Sequence, residues 1–410
     1  MDNQPKIKTS AALRFIFVTI FIDVMGLAII IPVIPKLLEQ LAHVGNSRAA
    51  EINGWLTFIY ASMQVLFSPI IGNLSDRFGR RPVLLISLLG FCVDYTFMAF
   101  APTVFWLFIG RTIAGITGAT MATGTAYIAD ISTGDKRAAN FGIVGAASGL
   151  GFIIGVSGGA FLGAINIKFP FMAAAAGALL NAAYGYFVLP ESLDKAHRRK
   201  FEWKRANPIG SFKQLAKYSS LFGLAIAFLL VYIAQKAVEY QLPFYVYEKF
   251  NWTLPSVGIL GLFIGVLLVF IQGWFIRYLI PKWGLKKNIF IGLGSYALGL
   301  FLIAFSSYGW QLYVYMIPYC FGGISGPALQ GLITKKFSAS EQGELQGGLS
   351  LLSSLSLVIG PVLMGYSFKF FTLKNTSVYF PGAPYILGAL LMFISIALVY
   401  RSFKKDVTLQ

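Results

Sequence analysis

Long apolar runs separated by short polar stretches recur twelve times along the 410 residues of this chain. The runs lie at 13–35, 52–71, 83–101, 103–128, 141–165, 169–189, 219–247, 254–276, 288–306, 308–333, 345–370 and 382–400. A helix that crosses a bilayer takes about 20 residues, so each run predicts one span, with the longer ones tilted or running past the membrane face. The first run follows a basic start but is too long for a signal peptide and has no small-residue cleavage site after it, so it is expected to be retained. The pattern predicts an all-α membrane protein of twelve transmembrane helices. The longest polar segment, 191–218, divides the spans six and six into an N-terminal bundle, 1–190, and a C-terminal bundle, 219–410. Its basic residues, among them Arg198, Arg199 and Lys200, read as a solvated linker touching anionic lipid.

One polar island stands out between the second and third runs: Gly72-Asn73-Leu74-Ser75-Asp76-Arg77-Phe78-Gly79-Arg80-Arg81-Pro82. Its backbone and guanidinium groups cannot be satisfied in hydrocarbon, so it lies at a membrane surface, and three arginines mark that surface as cytoplasmic. Gly72 and Gly79 permit backbone angles or close helix approach that larger residues forbid, and Pro82 suits the first turn of a helix. Asp76 either pairs with one of the arginines or sits against the positive end of another helix. Gly273 to Arg277, followed by Gly284-Leu285-Lys286-Lys287 after the eighth run, reads as a worn copy of this island with Arg277 in the place of the acid. A degraded repeat at the matching place predicts two pseudo-symmetric six-helix bundles with a cavity between them.

Composition narrows the class. The chain is 57 % hydrophobic and 12 % charged with a mean hydropathy of +0.71, too apolar for one soluble core. A net charge of +17 on a soluble domain would point to nucleic acid. Its placement does not: 25 of the 33 Lys and Arg fall in the tails and alternate loops that an even number of spans puts on one side, so both termini are expected in the cytoplasm. Cys92 and Cys320 lie inside runs and read as small buried residues. His43 and His197 sit in loops on opposite sides, and no P-loop occurs. Neither a histidine metal site, a Ser-His-Asp arrangement nor ATP hydrolysis has its residues here, so we expect no enzyme and no cofactor.

Ionisable residues inside a membrane are costly and mark working sites. Asp23 lies about ten residues into the first run, ~15 Å deep at ~1.5 Å per residue. Asp94 in the third run and Arg111 in the fourth fall at comparable depth. Three such groups in one half favour a proton-handling site, with Asp23 and Asp94 as the acids and Arg111 as their electrostatic partner; the alternative for each is a buried pair that fixes helix packing. Gln64, Asn181, Gln272 and Gln330 are uncharged polar groups at membrane depth, either lining the cavity or making helix–helix hydrogen bonds. Lys236 and Glu239, three apart in the seventh run, share one helix face as a ligand contact or a snorkelling surface pair. Most of the glycines at 145, 149, 151, 155, 158 and 159 in the fifth run are expected to serve packing.

The order G-x-x-x-D-R-x-G-R-R in the island resembles the signature loop between helices 2 and 3 of major facilitator superfamily transporters. Gly110-Arg111 through Ala119 resembles the family's R-x-x-x-G-x-x-x-A motif, and Ala126 to Ile131, Leu189-Pro190-Glu191-Ser192, Gly343 to Gly347 and Ile359-Gly360-Pro361 extend the likeness to nearly the whole chain. The chain is similar to the tetracycline-efflux branch of the drug:proton antiporters. That resemblance implies a proton-coupled secondary transporter of a small organic solute, working by alternating access in a bacterial cytoplasmic membrane, with efflux as the direction. It also implies a cytoplasmic latch of Gly72, Asp76, Arg77, Gly79, Arg80, Arg81 and Asp130. The expected partners are the solute, protons and membrane lipids, with no nucleic acid, and the protein is expected to act as a monomer. Three departures matter. Val156 replaces the proline of the antiporter pattern G-x-x-x-G-P-x-x-G-G; Leu268 and Ser295 stand where tetracycline exporters carry a histidine and an aspartate; and no acid occurs from Asn251 to Ser340. Tetracycline is therefore not the expected substrate, and proton-driven import of a polar or anionic solute, such as a carboxylate metabolite or siderophore, is the alternative.

Overall fold

With no water in hydrocarbon to bond exposed peptide groups, apolar runs of this length close their hydrogen bonds within themselves as helices. The computed structural model describes residues 9–132, 136–194, 196, 198, 199, 201, 219–334, 342–374 and 376–405, and among them there is no strand. The rest of the 191–218 linker, including Lys195, His197, Lys200, Lys204 and Arg205, lies outside the described residues.

Among the described residues eleven helices are long and apolar enough to cross a membrane. The remaining apolar run, the tenth, is helical but broken: Gln311–Phe321 contains Pro318, a 3-10 turn follows at Gly322–Ile324, and Ser325–Thr334 completes it. Proline removes a backbone donor and two consecutive glycines resist helix, which accounts for the break. Four other spans depart from their expected extents. The first helix, Thr9–Ile30, stops before Pro32, and a short helix Ile34–Ala42 follows the turn. The second, Asn46–Phe78, runs 33 residues, about 50 Å at 1.5 Å per residue, well past a bilayer's apolar thickness. The fourth is split into Val104–Thr117 and Thr120–Ile131 at Gly118-Ala119. The eighth begins as Leu254–Leu268, passes through a π-helix at Val269–Phe275, and continues to a kink at Gly284, after which the ninth runs to Ala304.

Between the second and third spans Gly79 has φ 109°, and between the eighth and ninth Gly284 has φ 73°. Both glycines adopt angles that side-chain-bearing residues avoid, so the worn repeat of the sequence survives in the backbone of both turns.

By their contacts the residues form two compact units, one comprising 1–33 and 62–207, the other 34–61 and 208–410. In the first unit the third span, Arg80–Phe100, packs on the sixth, Phe169–Val188, and the first packs on the fifth, Lys136–Ile165. The last contact is backbone to backbone. A Cβ at Gly151, Gly155 or Gly159 would lie 2.6, 2.5 or 2.3 Å from the carbonyl oxygens of Phe21, Met25 and Ile29. Glycines four apart thus let the two helices touch, and they bracket the turn that carries Asp23. In the second unit the N-terminal part of the second span is tied to the seventh, Ser219–Phe250, and the eleventh, Gln342–Thr372. Asn46 Nδ2 donates to Phe244 O at 2.8 Å, Ser47 Oγ donates to Thr372 O at 3.1 Å, and Lys369 pairs with Glu51 at 2.7 Å.

Candidate functional site

The two expected acids sit in contrasting surroundings within the first unit. Asp94, on the third span, is fully buried, and its Oδ2 accepts from Arg111 Nη2 on the fourth at 2.5 Å. The same nitrogen approaches Met98 Sδ at 3.2 Å. Asp94 Oδ1 makes no hydrogen bond among the described residues and lies against Gly110, where a Cβ would be 2.8 Å away. Asp23, on the first span, is also buried, and its Oδ1 has no hydrogen-bond partner there either. One turn earlier Thr19 Oγ1 donates to Asn181 Oδ1 on the sixth span at 3.4 Å, leaving the buried Asn181 Nδ2 unpartnered. Two carboxyl groups therefore bury oxygens that nothing among the described residues satisfies, a costly arrangement in an apolar setting. Thr120 and Thr123, on the second piece of the fourth span, bury unpartnered hydroxyls in the same unit. Sequence reading did not single them out, because a threonine in an apolar helix carries no local signal.

At the end of the unit that carries it, the island closes on residues far along the chain. Arg80 pairs with Asp76 at 2.6 Å and with Asp130 at 3.2 Å, and donates to Ser75 Oγ at 3.0 Å. The first alternative for Asp76, pairing with an arginine, is the one seen. Glu191 completes the cluster: its Oε1 accepts from the Arg80 amide at 2.8 Å and its Oε2 from the Arg81 amide at 3.2 Å. A carboxylate thereby caps the positive N-terminal end of the third span. A Cβ at Gly79 would come within 2.1 Å of Glu191 Oε2, so glycine is required there for space as well as for φ. Arg81 also donates to the Tyr186 carbonyl and lies 5.6 Å from its ring. Arg77 is exposed and lies over the Phe78 ring at 5.0 Å, while Gly72 has open space around it. Glu191 was visible in sequence only as part of Leu189-Pro190-Glu191-Ser192; its role depends on a contact across 111 positions.

The polar residues of the second unit form a different kind of group. Lys236 Nζ contacts Glu239 Oε2 at 2.5 Å and lies 5.6 Å from the Tyr240 ring. Gln235 Nε2 donates to Tyr296 OH at 3.1 Å. Gln272 sits in the π-helix with its Nε2 3.2 Å from where a Gly323 Cβ would lie. Gln330 instead donates to Gln346 Oε1 at 3.1 Å, and in the first unit Gln64 donates to the Gly118 carbonyl at 3.1 Å, capping the break in the fourth span. Among the described residues no group of three or more His, Cys, Asp or Glu is placed to hold a metal ion, and Cys92 and Cys320 are free thiols.

Comparison with known proteins places this geometry. The sequence profile of the Major Facilitator Superfamily matches residues 16–326 and 275–409. The class C tetracycline resistance protein of Escherichia coli is 36 % identical over 394 residues, 96 % of this chain and 98 % of that protein. The class H protein of Pasteurella multocida is 34 % identical over 388 residues, 94 % of each. Among solved structures, a bacterial homolog of the human lysosomal transporter Spinster, inward-facing and unoccupied, matches with TM-score 0.79 at 13 % identity, covering 99 % of both chains. The human organic anion transporter MFSD10 matches with TM-score 0.70 at 21 % identity, covering 97 % of this chain and 100 % of that one. At such identities structural likeness speaks for the fold alone. With the profile and the relatives both spanning nearly its whole length, the chain belongs to the Major Facilitator Superfamily and is a multi-pass membrane transporter, not an enzyme.

Proposed function

We propose that the protein is a proton-coupled secondary transporter that exports a small amphipathic organic solute across the bacterial cytoplasmic membrane. The observation that carries this reading is the pair of buried acids in one unit, Asp94 held by Arg111 and Asp23 with an unpartnered oxygen. Each has a carboxylate whose charge is costly where it sits, so taking up or losing a proton changes the relative stability of the states that expose it. Alternating access then exposes the solute first to one side of the membrane and next to the other. The sequence divides at 191–218 into two homologous halves, both termini lie in the cytoplasm, and the protein acts as a monomer. Asp76, Arg77, Gly79, Arg80, Arg81 and Asp130 with Glu191 form the cytoplasmic latch, and Gln64, Asn181, Lys236, Glu239, Gln272 and Gln330 supply polar contacts along the solute route.

Export is supported by the tetracycline resistance relatives. Their substrate is not carried over, because Leu268 and Ser295 replace the expected ionisable groups. Val156, the acid-free stretch from Asn251 to Ser340 and the extra Lys236 support a second reading, proton-driven import of a polar or anionic solute. Purified protein in proteoliposomes, given an imposed pH gradient and a panel of compounds, separates the two. Export predicts solute movement opposite to the proton gradient, import predicts movement with it, and a gradient that drives no compound removes both.

A further inference from the structure

We infer that the second unit holds a solute subsite built on Lys236 and Glu239, and that it takes a zwitterionic solute whose anionic group binds Lys236 and whose cationic group binds Glu239. The inference rests on the transporter reading above and names the solute class within it.

Both residues lie on the seventh span, with Nζ and Oε2 2.5 Å apart. Packing alone does not require such a pair, since apolar residues of similar size in a low-dielectric interior are often as stable or more so. Nor is the pair sealed: the Lys236 side chain is 11 % accessible and that of Glu239 35 %. The lysine is held from behind, because a Cβ at Gly360 of the eleventh span would lie 2.6 Å from Lys236 Cγ, so the stem rests on that glycine. The Tyr240 ring flanks the ammonium at 5.6 Å.

The surroundings are those of a recognition surface. Gln235 and Glu239 are four apart and share a helix face, so the Gln235 to Tyr296 hydrogen bond stands on the carboxylate's side. Tyr296 OH and Gln272 Nε2 both approach Gly323, at 3.8 and 3.2 Å from where its Cβ would lie. Gly323 sits in the 3-10 break of the tenth span and Gln272 in the π-helix of the eighth. Two irregular helix segments thus meet at two polar side chains. Irregular backbone at membrane depth is tolerated where it is buried in protein or lines a polar cavity, and single π-turns recur at functional sites.

Charge balance selects the solute. A lone anion at Lys236 strips Glu239 of its partner, and a lone cation at Glu239 strips Lys236; either leaves an uncompensated charge in a setting only partly open to solvent, at a cost greatest for the less accessible Lys236. No acid between Asn251 and Ser340 is present on the eighth, ninth or tenth span to take over. A solute with both charges exchanges one ion pair for two and leaves nothing unpaired. The rings of Tyr240 and Tyr296 suit an aromatic or otherwise planar body on that solute.

Thermal unfolding of the purified full chain tests this. The probes are phenylalanine, tryptophan and ω-amino carboxylates of increasing length, each beside its methyl ester, which is only a cation, and its N-acetyl derivative, which is only an anion. At least one zwitterion is expected to raise Tm, with ester and N-acetyl forms weaker by about tenfold or more in the concentration required. Lys236→Gln and Glu239→Gln should each weaken the response about tenfold. The exchanged pair, Lys236→Glu with Glu239→Lys, should restore it, and serves as the reading if a single variant does not fold. No response to any zwitterion, an equal response to a singly charged form, or an unchanged response in both single variants overturns the subsite. Intact pH-driven flux in proteoliposomes alongside such a result overturns the subsite alone, whereas absence of flux for every compound overturns the transporter reading.

Discussion

Removing Arg111 while leaving Asp94 in place gives the sharpest energetic prediction. Asp94 has no exposed surface, and its Oδ2 lies 2.5 Å from Arg111 Nη2. Arg111→Gln strips the carboxylate of the cation that pairs with it and leaves Oδ1 still without a partner among the described residues. Breaking a buried pair from one side costs about 3–5 kcal/mol, because the surviving charge stays buried. Asp94→Asn removes the acid that pairs with the guanidinium at 2.5 Å. The double variant removes both charges, so its cost is expected to fall below the sum of the singles by about 1–3 kcal/mol, the range of coupling for residues in contact. Apparent Tm of the four proteins in one detergent gives the result: wild type highest, and the double variant losing less than the summed losses of the two singles. Singles that match wild type, or a double that loses the full sum, would show that the two charges are not coupled in a buried site.

Other predictions follow from the same contacts. Gly79→Ala should destabilise the turn between the second and third spans and cut transport, because the added carbon meets Glu191 Oε2 at 2.1 Å at a φ of 109°; Glu191→Ala should give the same defect, and full activity in both would remove the capping role. Gly155→Ala should lower Tm or expression while Gly158→Ala is neutral, since a Cβ at 155 lies 2.5 Å from Met25 O and one at 158 has nothing within 4 Å; equal effects would refute the helix contact. Arg77→Ala and Asp76→Ala should reduce turnover more than solute binding, and normal turnover in both would count against the latch.

The fold was legible because its determinants are local. Twelve apolar runs and the island from Gly72 to Pro82 each state their structural meaning within a few residues. Gly79 is the clearest case, as its expected conformational freedom is met by a φ of 109°. Lys236 and Glu239 were readable for the same reason, three positions apart on one helix. Contacts that span the chain were not. Glu191 reaching the Arg80 amide, Gln64 satisfying Gly118 and Gln235 meeting Tyr296 depend on which helices pack together, and the 3.6-residue period does not encode that. The helix breaks at Gly118-Ala119 and Gly322–Ile324 fall inside continuous apolar runs, where hydrophobicity alone predicts an unbroken helix.

The central claim is that protonation of buried carboxylates drives the transport cycle. Asp23→Asn and Asp94→Asn, reconstituted in proteoliposomes with a compound that the wild-type protein moves, test it most directly through flux under an imposed pH gradient. The account predicts that wild type accumulates the compound against its gradient and that each variant loses this response while the folded protein remains in the bilayer. Variants that both still move the compound uphill and still answer the pH gradient would contradict it.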